Sequence, residues 1–153
     1  MPPKLTADQV ADYFIALAHQ RGESVNNSKL QKLLYYAQAW HLAFYDAPLF
    51  GEKFEAWIYG PAIPSVYWRF KPFSISDLPV QREPPALDAE TTQFLDQVAS
   101  EYLALDEYEL EWLSRREPPW VNARGRLDID EHCTTELSEE DMRSYFRRLA
   151  EAA

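Results

Sequence analysis

Metal-ligand residue types gather at one place in the chain, the run Asp128-Ile-Asp-Glu-His-Cys133. Histidine, thiolate and carboxylate are the ligands zinc prefers, but a zinc site draws them from spaced pairs that converge on one ion. His132 and Cys133 are adjacent, and the remaining histidines, His19 and His41, lie in two other helical segments. The spacing fails the test for a resident metal, so none is assigned and no cofactor is implied. Acid–base catalysis needs a positioned histidine or carboxylate of tuned pKa. His41 falls on an apolar helical stripe and reads as a hydrogen-bonded packing residue. Cys133 beside His132 is no nucleophile–base pair, because such pairs meet in space from separate segments. The glycines at 22, 51, 60 and 125 are isolated, which removes a phosphate-cradling loop. With no bond-making motif, the chain reads as a non-enzyme, and a small metal-dependent hydrolase is the outlying alternative.

What the sequence offers instead is contact chemistry. The net charge is −10 over 153 residues, and residues 81–153 carry all of it, since residues 1–80 are balanced at 7 basic and 7 acidic side chains. From Asp88 to Glu111 there are eight carboxylates and no Lys or Arg. Like charges one helical turn apart are unfavourable unless water or a basic partner compensates. Tyr108 and Trp112, at i and i+4, sit inside this run with Glu109. They are either core residues or, beside carboxylates, a docking face for a basic protein. The only basic clusters, Arg115-Arg116, Arg124/Arg126 and Arg147-Arg148, are set in acidic surroundings, so nucleic acid is an unfavoured partner. A Trp- and Tyr-rich chain of this kind could also self-associate.

The elements that must position these residues are mostly helical. Thr6 and Gln9 have the form of a capping box ahead of Val10, Tyr13, Phe14 and Leu17, with Arg21-Gly22 as the stop. Ser28 and Gln31 read as a second box, before Leu30, Leu33, Leu34, Ala37, Trp40, His41 and Phe44. A helix apolar nearly all round belongs in the middle of a bundle, with Leu30, Leu33, Leu34, Ala37 and Phe44 in the core. Residues 54–59 alternate as a short strand, stopped by Gly60-Pro61. Pro64 suits the first turn of a helix running to Phe70. Residues 72–87 hold four prolines and read as an extended linker. Helices follow over 88–102 and 106–115, Glu117-Pro-Pro-Trp120 breaks the second, 122–135 is irregular, and Ser138 caps a last helix with Asp141. The fold class expected is mainly α, a compact helical bundle with a small β element, in a single domain over 1–153. The N-terminus shows no apolar leader core, and Gln38 and His41 interrupt the longest apolar run. With one cysteine there is no internal disulfide. The expectation is a cytoplasmic protein away from membranes.

Four motifs together resemble the Panacea domain, the SocA-like antitoxin domain also found in phage-associated bacterial proteins. They are Lys29-Leu-Gln-Lys-Leu-Leu-Tyr-Tyr-Ala37, Glu55-Ala-Trp-Ile-Tyr-Gly-Pro61, Pro64-Ser-Val-Tyr67 and Glu117-Pro-Pro-Trp120. The closing helix Glu139–Phe146 is similar as well. Two positions depart from the family pattern: Leu103 follows Tyr102 where a glycine is usual, and Ser114-Arg115 stand where Thr-His is usual. Loss of that histidine favours binding over catalysis. The resemblance implies a cytoplasmic bacterial antitoxin that neutralises a cognate toxin, encoded next to it, by direct occlusion. A proteolytic adaptor or phage-derived regulator that delivers its partner to host machinery, with a protease as second partner, is the alternative. The residues expected at the partner are Trp57, Tyr59, Gly60, Pro61, Trp68, Arg69 and Phe70 around the turn, with Tyr108, Glu109 and Trp112 as a second patch. An acidic coat suits a basic toxin.

Overall fold

The structure is a computed structural model and describes residue 3 and residues 5–152. Among these residues there are seven α-helices and one two-stranded hairpin, so the chain is mainly α with a small β element. Helix α1 (Ala7–Arg21) starts with the expected capping box: Thr6 Oγ accepts from the Gln9 N–H and Gln9 Oε1 accepts from the Thr6 N–H. It ends at Gly22, whose left-handed backbone lets its N–H reach the last free carbonyls.

Helix α2 (Asn27–Tyr45) is the centre of the molecule and packs against α1, the second strand of the hairpin and four later helices. Its cap is Asn26 and not Ser28. The Asn26 side chain accepts from the Lys29 N–H at 2.9 Å, which leaves Ser28 inside the first turn to accept from Lys32 Nζ at 2.8 Å. Leu30, Leu33, Leu34 and Ala37 are fully buried as expected, but Phe44 is 59% exposed. The helix outruns its cover at this end, where Asp46 in the left-handed region closes it.

Strands β1 (Glu55–Trp57) and β2 (Gly60–Ala62) pair antiparallel around the turn Ile58-Tyr59. Gly60-Pro61 therefore begins the second strand and does not merely end the first. Helix α3 (Pro64–Phe70) follows with proline in its first turn, and Phe70 is fully buried. A single 3-10 turn, Lys71–Phe73, leads into the proline-rich segment, which Leu78 anchors by its buried side chain and by its N–H on Val25 O.

Helices α4 (Ala89–Tyr102) and α5 (Glu107–Ser114) lie where the periodicity puts them, α5 with a capping box from Asp106 and Glu109. Helix α6 (Pro118–Arg124) was not expected. Pro118 breaks α5 yet starts a new helix, because proline lacks only an N–H that the first turn would leave free. Helix α7 (Glu139–Ala152) is capped by Ser138 Oγ on the Asp141 N–H, and its Met142 and Phe146 close the core against α2. The segment before α7 adds to the open edge of β1, with Ala56 N–H on Thr135 O and Leu137 N–H on Phe54 O. One continuous hydrophobic cluster joins the seven helices and β1.

Candidate functional site

The buried polar side chains of α2 hold the rest of the motif residues in place. Gln31 Oε1 accepts from the Ile63 N–H at 2.9 Å, and Asn27 donates to Tyr67 O at 3.0 Å, so α2 fixes both the exit of the hairpin and helix α3. Gln38 spans the loop at Leu49 and Phe50, accepting from Leu49 N–H and donating to Phe50 O. Lys29 Nζ donates to Leu103 O at the end of α4. Each buried amide is satisfied, as a close-packed interior demands.

Helix α6 grips the same hairpin from the other side. Trp120 Nε1 donates to Trp57 O at 2.8 Å, and Arg124 donates to Ala56 O, Asp128 O and Glu131 O at 2.9, 2.6 and 2.6 Å. Glu117 lies buried where α6 meets α2, and one of its carboxylate oxygens accepts from Tyr35 at 3.0 Å and Tyr36 at 3.1 Å. Burial pushes this carboxyl up to about 7, although the two tyrosine hydroxyls oppose the shift. Lys32 is buried against Gly60 and Ser114, and desolvation pulls its ammonium down to about 8 against the pull of Glu111 and Glu107. The four motifs thus meet one another: they build the clamp that presents the hairpin turn.

The residues expected at a partner divide accordingly. Gly60, Pro61 and Phe70 are sealed in the monomer, so the expectation that they touch a partner is corrected: they shape the turn and fill the core. Arg69 is committed to Asp8 at 3.0 Å and Asp12 at 2.6 Å and lies over the Phe70 ring, which locks α3 onto α1. Trp57 is half-buried, donates to Glu55 at 2.7 Å and meets Tyr67 edge-on, and Tyr67 in turn meets Trp68. From this ridge Tyr59 and Trp68 point into solvent, with Lys71 over the Trp68 ring.

On α5, Tyr108 is 71% and Trp112 61% exposed, so they are not core residues. With Glu109, Leu105, Asp106 and Leu113 they line a shallow depression, and Arg116 stacks on the indole of Trp112 at 4.2 Å. The elements that carry the two patches adjoin, because β2 packs on α5 and residue 60 adjoins Ser114. At the run that gathered metal-ligand types, Cys133 is buried and His132 exposed, and no three such side chains converge among the described residues. No helix among them is long and apolar enough to cross a membrane.

Sequence reasoning missed one surface. Trp40, Phe44, Phe94, Val98, Tyr102 and Leu149 line an open trough of about 660 Å³ between α2, α4 and α7. Its signal, an apolar stripe on α4 with no partner named for it, was present in the spacing of Phe94, Val98 and Tyr102.

Residues 30–121 match the family model described as antitoxin SocA-like, Panacea domain, which covers all four motifs but for one residue at the start of the first. Antitoxin SocA of Caulobacter vibrioides (strain NA1000 / CB15N) is 38% identical over 66 residues. That segment is 43% of this chain and 35% of the curated relative, so the chain spans only a part of that protein's length. No solved structure matches. Gln31, Lys32, Tyr35, Tyr36, Glu117 and Trp120 of the clamp fall within the residues the family model covers, and the chain belongs to the SocA-like antitoxin family of the Panacea domain.

Proposed function

We propose that this chain is an antitoxin that neutralises a cognate toxin by covering its working surface, without chemistry of its own. The observation that carries this reading is the face of α5, where Tyr108 and Trp112 stand in solvent among Asp106, Glu107 and Glu109. Large aromatics held on a rigid helix make strong interface anchors, and exposing two of them without a partner is costly. The acid around them steers a basic toxin toward that face. Tyr59, Trp57 and Trp68 at the hairpin and α3 supply the adjoining contact area. An interface of the usual size, about 1,200–2,000 Å² in total, would span both patches.

The test is co-expression with the protein encoded beside it. The wild-type chain should restore growth and co-purify with that protein. Trp112→Ala with Tyr108→Ala should weaken the complex about 100-fold or more, as expected for paired anchors, with an unchanged melting curve. Raising salt should slow association far more than dissociation. A wild-type chain that neither rescues nor co-purifies removes the reading. Loss of the toxin only in cells that hold an intact protease would place the chain among adaptors.

A further inference from the structure

We propose that the notch between the end of α1 and the start of α2 is a recognition site for an extended peptide bearing leucine before proline, and that residues 74–83 of this chain fill it as a strap that can lift. The inference goes beyond toxin binding by α5 and does not depend on it. The contacts that a peptide site needs converge on Leu78. Its N–H donates to Val25 O at 2.8 Å, and its carbonyl accepts from His19 Nε2 at 2.9 Å. Its side chain is buried with those of Ile15, Ala18 and Val25. One acceptor for a backbone N–H, one donor for a backbone carbonyl and one apolar hole are the means by which proteins read an extended chain. Pro79 completes the pattern, because the residue before a proline is held extended.

The strap has no other firm tie. From Ser74 to Glu83 every residue but Leu78 is exposed, and no helix or strand runs from Asp77 to Asp88. Two turn bonds join Ser74 and Ser76 to the 3-10 turn before it. Arg69 reaches Gln81 only at 3.4 Å, and its guanidinium is already committed to Asp8 and Asp12. A cleft of about 190 Å³ remains beside Leu78. The peg therefore does not fill its hole, and its release breaks no close-packed contact on that side. A segment held at one point opens by itself, at a lower free energy than global unfolding. Charge does not bar a partner. When Asp77 leaves with the strap, Glu23 remains within the field of Lys29 and His19 remains as the donor. The rim is then close to neutral, and the notch selects by shape and backbone pairing.

The test uses the full chain and two acetylated heptapeptides, one with the sequence Ile75–Gln81 and one with serine in place of its leucine. In native-state hydrogen exchange the Leu78 N–H of the wild-type chain should exchange at least about 100-fold faster than that of Leu33 in the core of α2. Leu78→Ser frees the strap and opens the notch. By NMR titration the leucine peptide should then shift signals of Ile15, Ala18 and Val25, and bind about ten-fold or more tighter than to the wild-type chain, whose notch is filled. The serine peptide should bind about ten-fold or more weakly than the leucine peptide. Adding His19→Ala should weaken the leucine peptide about five-fold. Trp112→Ala should leave peptide binding unchanged. A Leu78 amide as protected as that of Leu33, equal binding of the two peptides, no binding to Leu78→Ser, or a dimer with exchanged straps would each overturn the proposal. Should Leu78→Ser fail to fold, the wild-type chain decides: fast exchange at Leu78 with saturable binding of the leucine peptide upholds the site, and the lack of either removes it. Failure of growth rescue bears on the antitoxin reading alone.

Discussion

A methyl group at residue 60 would sit 3.0 Å from Lys32 Cε and 3.0 Å from Ser114 Oγ, on a backbone held at φ +118°. The turn residues Ile58 and Tyr59 keep negative φ, so the hairpin places its one unusual torsion on glycine, where no Cβ resists it. Gly60→Ala should therefore cost about 1–3 kcal/mol, read as a lower urea midpoint at constant m-value. A loss within about 0.5 kcal/mol, the range of an ordinary surface change, would mean that the clamp gives way easily. Single residues were the hardest scale to read from sequence. Phe44 and Leu34 sit on one stripe of α2, and periodicity cannot show which of them lies beyond the cover of α7. Tyr108 and Trp112 share a helical face that suits a core as well as a surface, and only the packing of Leu110 inward settles which way α5 turns.

At the scale of elements the reading went further. Capping boxes and apolar spacing located α1, α2, α4, α5 and α7, and proline at a first turn located α3, because these signals are local and act within one or two turns. Helix α6 and strand β2 stayed hidden for one physical reason: each holds a proline at its first or second residue, Pro118 and Pro61, and proline stops an element and starts the next with equal ease. The pairing of α6 with α2 through Glu117 also lay out of reach, since the tyrosines concerned are more than eighty residues away. That contact should make stability depend on pH. The folded state holds the Glu117 proton up to about 7, whereas the unfolded chain releases it near the ordinary carboxylate value. The folded state thus binds more protons in that window, and stability present below about pH 4.5 is lost as pH rises through about 7. The loss should be on the order of 2–3 kcal/mol, and Glu117→Gln should flatten it in denaturation curves taken from pH 5 to 8. An unchanged slope in that variant would assign the dependence to other groups.

The molecule as a whole divides its labour along the chain. The first half is electrically neutral and holds α1, α2, the hairpin and α3, while the second carries the entire excess of acid and supplies α4, α5 and α7, which pack on α2. The wrapping half therefore sets the outward potential and the wrapped half the mechanical frame. The α5 face takes its charge from the wrapping half, and the adjoining hairpin ridge belongs to the frame. One further property follows from the way α6 secures the irregular stretch behind it. Cys133 is the sole thiol and is almost fully covered, in the stretch whose Asp128 and Glu131 carbonyls Arg124 holds. An alkylating reagent must wait for that stretch to lift, so its uptake by the native protein should be at least about 100-fold slower than by the urea-unfolded chain. Equal rates would show the stretch to be unlatched. Otherwise the protein carries its own clock for local opening, readable by mass spectrometry before and after a partner binds.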